Sequence, residues 1–271
     1  MAKIALAQLR SSTDKEENLR IAGDFIKNGK SEGATFVAFP EFLMAYSPAS
    51  QSAEELCEVA ETVDGPFTTA LEQIAKASEI NVLATIYERS DLANRVYDTA
   101  LWIDRGGNIA AVYRKLHLYD ALGFKESDKF IAGSDLTRPI ETDLGKIGMM
   151  ICYDLRFPEL SRLLTLMGAD VLVAPSGWVQ GEVKVEHWQT MVRARALENG
   201  CYVIAPGQVG NIYIGHSMVV DPFGRTVAEM GENEGLEVVE LDSRMVAEVR
   251  EKLPLLKNRR RDVYTKHGIL T

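Results

Sequence analysis

The chain has 271 residues, 46% of them hydrophobic and 25% charged, which supplies a large buried core and excludes a disordered or fibrous chain. Asp and Glu outnumber Lys and Arg by 39 to 30, and the net charge of -9 repels phosphate backbones and anionic membranes, so neither nucleic acid nor a membrane is an expected partner. Its three cysteines, Cys57, Cys152 and Cys201, are widely spaced and form no CxxC pair, which speaks against a disulfide framework and against a zinc site.

In chain order, the apolar run "KIALAQL" reads as a strand, and Leu19, Ala22, Phe25 and Ile26 then recur at helical spacing. A strand at "TFVAFP", an acidic helix-like stretch "AEELCEVAE", and a helix through Phe67, Ala70, Leu71 and Ile74 follow. "INVLATIYE" reads as a strand, and "ALWIDRGGNIAAVYRK" as two strands joined in a hairpin. Strands at "KIGMMICY" and "DVLVAPS" enclose a helix through Leu160, Leu163, Leu164 and Met167, and a further helix carries Val185, Trp188, Met191, Val192 and Ala196. "CYVIAP", the hairpin "MVVDPFGRTVAEM" and "EGLEVVEL" complete a mixed α/β layer pattern. Nothing reads as a linker, so a single domain over 1–271 is expected, and "KNRRRDVY" reads either as a solvated tail or as an arm docking on a neighbouring subunit through Val263 and Tyr264. The opening stretch "MAKIALAQLRSSTDKEEN" lacks a signal peptide's apolar region, and no apolar run reaches the roughly 18 residues of a membrane span, so a cytoplasmic location is expected.

Three ionisable residues close apolar runs: Glu41 after "TFVAFP", Lys115 after "IAAVYR" and Cys152 after "IGMMI". In open α/β sheets, ligands and reactive groups gather at such strand ends. A thiol attacks as the thiolate and so needs a base or a cation nearby. Glu41, among Phe39, Pro40 and Phe42, is suited to accept and return the thiol proton, while Lys115 would favour the thiolate and an oxyanion, helped by the backbone N–H of Tyr153 just after the nucleophile. The competing reading makes Glu41 and Lys115 a buried or rim ion pair. The strand-to-helix junction at Cys152 has the layout of a nucleophile elbow, with a helix dipole adding to thiolate stabilisation.

Other candidates have two readings each. Arg156 recognises an anion or holds the helix start through Asp154 or Glu159. Trp178 and Tyr153 line a pocket or pack around it. His117 and His187 read as structural hydrogen-bonders, Cys201 as core, and Cys57 as unreactive among acidic neighbours that raise its pKa.

The segments "AFPEF", "YRKLHLYD" and "ICYDLRFPEL" resemble, in order, the three signature segments of the nitrilase superfamily of carbon-nitrogen hydrolases. The likeness runs on through "PSGW", "HWQTMVRARALENGCYV", "GHSMVVDPFG" and "RRRDVY". It implies a four-layer αββα sandwich, a Glu41-Lys115-Cys152 triad, no metal and no cofactor. It also implies a second glutamate at Glu126, which the residues alone would leave as one solvated charge in "FKESDKF". "CYDLRFPE" and "GHSMVVDPFG" look most like the branch of ω-amidases and deaminated-glutathione amidases, which implies at least a homodimer with helices near the nucleophile and the C-terminal arm at its interface. The implied reaction is hydrolysis of a small carboxamide through a cysteine thioester with release of ammonia. Hydrolysis of N-carbamoyl amino acids or nitriles, and more remotely a thiol redox role for Cys152, are the alternatives.

Overall fold

Alternation along the first strand decides the architecture. In the computed structural model, which describes residues 1–268, β1 (Ala2–Gln8) turns Ile4 and Leu6 into one apolar cluster and Ala5 and Ala7 into another, and all four are fully buried. A strand buried on both faces requires a layer on each side.

The first half of the chain continues through α1 (Lys15–Ser31), β2 (Phe36–Ala38), α2 (Ala53–Val59), α3 (Pro66–Ser78), β3 (Asn81–Arg89), β4 (Val96–Ile103) and β5 (Ile109–Arg114). Helix starts follow local chemistry. Asp14 accepts from the Glu16 and Glu17 N–H groups, Ser52 and Glu55 close a capping box, and Pro66 opens α3 where its missing N–H is harmless. The second half contributes β6 (Ile140–Thr142), β7 (Gly145–Met149), α4 (Pro158–Leu166), β8 (Val171–Val173), α5 (Lys184–Asn199), β9 (Tyr202–Ala205), β10 (Val209–Gly210), β11 (Tyr213–Ile214), β12 (Met218–Val220), β13 (Thr226–Glu229), β14 (Gly235–Leu241), α6 (Arg244–Lys252) and α7 (Arg261–Lys266).

Two six-stranded sheets result, ordered β14-β1-β2-β3-β4-β5 and β13-β12-β9-β8-β7-β6, with β10 and β11 as a separate small pair. Ile4, Leu6, Phe36, Trp102 and Tyr113 of the first sheet share a core with Ile147, Met149, Leu172 and Val203 of the second, and that core reaches Leu164 of α4 and Trp188 and Val192 of α5. On its other face the first sheet packs Ala5, Val37 and Val82 against Ala22 and Ile26 of α1 and Leu71 and Ala75 of α3. The layers therefore run helix, sheet, sheet, helix, as the resemblance implies. Strands β1, β2 and β3 are parallel, and β5 regains their direction through two antiparallel pairings, so β2 and β5 end at one edge. In the second sheet β7, β8 and β9 are parallel.

Both expected hairpins form. Asp104 Oδ1 accepts from the Gly106 and Asn108 N–H groups between β4 and β5, and Asp221 Oδ1 from those of Phe223 and Arg225 between β12 and β13. The chain also forms β6, β10, β11 and α6, which the pattern did not single out. The three strands span two or three residues each, too short for a period, and α6 buries only Val246 and Val249 amid charged neighbours. The segment read as a tail or arm is partly helical, in α7, with Val263 exposed. The expected single domain over 1–271 extends across 269–271, which lie outside the described residues. Among the described residues, no helix is long and apolar enough to cross a membrane.

Candidate active site

Lys115 is the first residue after β5, and its own N–H donates to the Asp98 carbonyl of β4, 2.9 Å away. That places its side chain inside the protein, 2% exposed, among three carboxyl groups. Nζ donates to Glu41 Oε1 at 2.7 Å and to Glu126 Oε1 at 2.8 Å, and lies 3.6 Å from Asp98 Oδ2. Glu41 follows β2 and is fully buried; its second oxygen accepts from the Gly177 N–H. Glu126 begins a short 3-10 turn, Glu126–Asp128, and its second oxygen accepts from the Tyr119 N–H. Burial opposes the charge on Lys115, but Glu126, Glu41 and Asp98 outweigh it and hold the ammonium pKa well above its ordinary value.

Cys152 comes three residues after the end of β7, with a positive φ of 44°, a conformation that is strained for a residue with a Cβ. Its neighbours hold that turn. The Cys152 N–H donates to the Pro175 carbonyl, and the buried Asp154 carboxylate accepts from the Ile151 N–H at 2.9 Å and from the Tyr113 hydroxyl at 2.6 Å. Asp154 also meets His117 through the backbone N–H and Nδ1, while the His117 ring stacks on Phe157. Tyr113 belongs to β5, so one carboxylate ties the turn bearing Cys152 to the sheet bearing Lys115.

Burial pushes the Cys152 thiol pKa well above its ordinary value; Glu41 raises it further, and Lys115 only partly offsets the two. Lys115 favours the thiolate, as expected, but desolvation and the facing Glu41 outweigh it and favour the neutral thiol. The element that starts at Cys152 is a five-residue 3-10 turn ending before α4 rather than the expected α-helix with its dipole.

Around Cys152 the cleft has two arms. A narrow one is lined by Tyr119, Tyr153, Arg156, Trp178 and Lys184. A wider one of about 490 Å³ includes Glu41, Lys115 and Glu126 among aromatic walls from Phe42, Tyr87 and Tyr213. The Arg156 guanidinium lies 4.6 Å from the centre of the Trp178 ring. Among the described residues Arg156 forms no ion pair with Asp154, which is bonded to Tyr113, Ile151 and His117, or with Glu159. Trp178 both packs, on Trp188, and lines the cleft, and its indole N–H donates to the Lys184 carbonyl. Tyr153 follows Cys152 on the same 3-10 turn and lines the narrow arm.

The structure thus brings together Glu41, Lys115, Cys152, Glu126, Tyr153, Arg156 and Trp178. Glu126 is not a solvated loop charge but folds back onto Lys115. Cys201 is buried in the core with its pKa pushed up to about 12 by desolvation. Two residues escaped the sequence reading. Asp98 stands inside β4, where a charged residue in the apolar run "VYDTALWI" was the available signal. Lys184, the first residue of α5, is buried with Nζ 2.8 Å from the Tyr119 hydroxyl, and nothing in "GEVKVEHW" marks it.

A helix-sheet-sheet-helix sandwich with a buried Glu, Lys and Cys meeting between its sheets defines a hydrolase scaffold of one kind. The chain belongs to the carbon-nitrogen hydrolase family, whose model matches residues 3–251. It is 36% identical over 257 residues to a deaminated glutathione amidase of Escherichia coli O157:H7, covering 95% of this chain and 97% of that protein. Nit3 of Saccharomyces cerevisiae, described as a member of branch 10 of the nitrilase superfamily, superposes with a TM-score of 0.84 at 33% identity, over 96% of each chain. A mutant amidase from Nesterenkonia sp. AN1, in which the acetamide moiety of fluoroacetamide is covalently added at the active-site cysteine, matches with a TM-score of 0.80 at 25% identity, over 98% of this chain and 96% of that one.

The electrostatics make a prediction that separates nucleophile formation from turnover. Because the negative charge of Glu41 raises the Cys152 pKa, Glu41→Gln removes a raising influence and leaves the lowering one of Lys115 in place. The pH profile of Cys152 alkylation by iodoacetamide, read by peptide mass, should therefore shift to lower pH in Glu41→Gln. An unchanged or upward shift contradicts this account.

Proposed function

We propose that this enzyme hydrolyses the carboxamide of a short dicarboxylic acid monoamide, with Cys152 as nucleophile, and that a single hydrolase domain spans the chain. The observation that carries the reading is the buried Glu41, Lys115 and Glu126 cluster facing Cys152 on the wall of the cleft.

In this mechanism sulfur attacks the amide carbon as its proton passes to Glu41, so the nucleophile exists only as the bond forms. The carbonyl oxygen becomes an oxyanion held by the Lys115 ammonium and the Tyr153 N–H. Collapse breaks the C–N bond, and Glu41 returns the proton to the departing nitrogen, releasing ammonia and leaving a thioester on Cys152. Water then adds to the thioester with Glu41 again taking the proton; the carboxylic acid leaves, and the thiol is restored. Glu126 holds the same ammonium through a second hydrogen bond.

Support for a substrate carboxylate comes from the narrow arm, where Arg156 and Lys184 place two cations beside Cys152. A planar guanidinium backed by the Trp178 ring is suited to a bidentate carboxylate. Likeness to a deaminated glutathione amidase also favours an acyl group ending in a carboxylate over a nitrile substrate. We further infer at least a homodimer in the cytoplasm, since Leu166 of α4, Leu197 of α5 and Val263 of α7 are exposed apolar residues suited to an interface. A monomeric mass by light scattering would refute the dimer.

Cys152→Ala should abolish ammonia release from ω-amides while the protein stays folded, and the wild type should show a transient acyl adduct by intact mass. Substantial activity in Cys152→Ala, or ammonia released only from ureido acids or nitriles, would overturn the reading. Succinamate should outperform a neutral amide of equal length, and Arg156→Gln should erase at least about a tenfold preference, mainly through KM, as expected for a lost charge-assisted pair. Equal rates on charged and neutral amides in the wild type would remove Arg156 from substrate recognition.

A further inference from the structure

Asp98 is the one carboxyl group of the cluster that no donor satisfies. Its residue is 1% exposed, and neither carboxyl oxygen has a hydrogen-bond partner. Glu41 has the opposite character, with Lys115 Nζ on one oxygen and the Gly177 N–H on the other. Glu126 likewise accepts on both oxygens, from Lys115 Nζ and the Tyr119 N–H. Carboxyl oxygens of Asp98, Glu41 and Glu126 all lie within 4.8 Å of one another, around the single ammonium of Lys115.

Fully ionised, three carboxylates against one ammonium would leave surplus negative charge buried in the core, which is strongly unfavourable. Two bare anionic oxygens without donors would add the desolvation penalty of unmade hydrogen bonds. One proton on Asp98 halves that surplus, from two negative charges to one, and leaves no anionic oxygen without a donor, because a carboxylic acid is itself a donor and Glu41 is the acceptor in reach. Glu41 and Glu126 gain nothing comparable from a proton, since each already receives two donors.

We propose that Asp98 is a neutral carboxylic acid that donates its proton in a hydrogen bond to Glu41, making it a positioning residue for the group that takes the proton from Cys152. This rests on the reading of Glu41 as the base. Asp98 keeps its proton throughout the cycle: the thiol proton goes to Glu41 and returns to the departing nitrogen, while the Asp98 O–H holds the Glu41 carboxylate in plane between Lys115 and the sulfur. Burial, with the facing Glu41 charge, pushes the Asp98 carboxyl well above the usual carboxylate range even though Lys115 draws it down. The titratable groups around it are Tyr87 of β3, Lys115 just after β5, Glu41 after β2 and Glu126 in its 3-10 turn.

The test compares Asp98→Asn, Asp98→Ala and Glu41→Gln in the full-length enzyme on one ω-amide. An amide NH2 still donates to Glu41, so Asp98→Asn should keep kcat within about threefold of wild type, whereas Asp98→Ala should lose at least about tenfold in kcat with KM nearly unchanged. The alkaline limb of the kcat profile should extend to higher pH in Asp98→Asn, because the proton whose loss would charge the pair is no longer present. Infrared spectra of the resting wild type at neutral pH should contain a protonated carboxyl C=O band that is lost in Asp98→Asn. Full kcat in Asp98→Ala, equal losses in Asn and Ala, an unmoved alkaline limb, or a band that survives Asp98→Asn would each overturn the inference, and the infrared comparison needs no turnover. Activity retained in Glu41→Gln would instead refute Glu41 as the base, which separates the two failures.

Discussion

The interaction on which the rest of the structure depends is the enclosure of one ammonium, Lys115, by carboxyl groups from three separate parts of the chain. A lysine 2% exposed is tolerable only when its charge is matched, and two of its N–H donors are taken by Glu41 and Glu126. The loop after β2, strand β4 and the turn at Glu126 each deliver a carboxyl group to that point. The same cluster sets the state of the nucleophile, because the negative charge that holds the lysine also opposes a thiolate at Cys152. Holding the lysine charged and generating the thiolate only on demand are two consequences of one arrangement.

That arrangement explains why the nucleophile needs a strained turn. At positive φ the Cys152 side chain leaves the line of β7 and reaches the cleft lined by the other sheet's residues, and Asp154, bonded to Tyr113, keeps it there. Gly177 shows how tight the fit is: a Cβ there would come within 2.8 Å of the Phe42 ring and 2.9 Å of the Tyr213 ring, beside the N–H that Glu41 uses. Close backbone approach, rather than turn geometry, is what glycine supplies at that position.

Much of this was legible in the sequence because the physics was local. Glu41, Lys115 and Cys152 each end an apolar run, and strand ends can be read from periodicity alone. The two hairpins carried their own turn chemistry in Asp104 and Asp221. Glu126 was different: its neighbours are polar and exposed, and only the likeness of whole segments pointed to it, since a fold-back contact between residues 115 and 126 has no local signature. Asp98 offered a signal, a carboxyl in a buried strand, whose meaning depended on knowing that β4 lies between β3 and β5. Lys184 gave none, because its burial depends on the Tyr119 side chain arriving from the other half of the chain. The net state of the thiol was not legible for a related reason, as the balance between burial, Glu41 and Lys115 is a property of the assembled cluster.

The division of the site between the two sheets has a consequence for how stability and chemistry are linked. Asp98 belongs to the first sheet and Glu41 and Lys115 follow strands of it, while Cys152, Tyr153 and Arg156 follow a strand of the second. Neither sheet alone can present both the base and the nucleophile, so the site exists only when the apolar core between the sheets is closed. The charged cluster lies at the edge of that core, beside the buried Tyr113 and Leu155. Burial away from bulk solvent strengthens each of its charge interactions. The apolar packing that stabilises the sandwich is in this way also the source of the low dielectric in which one lysine, three carboxyl groups and one thiol divide their protons.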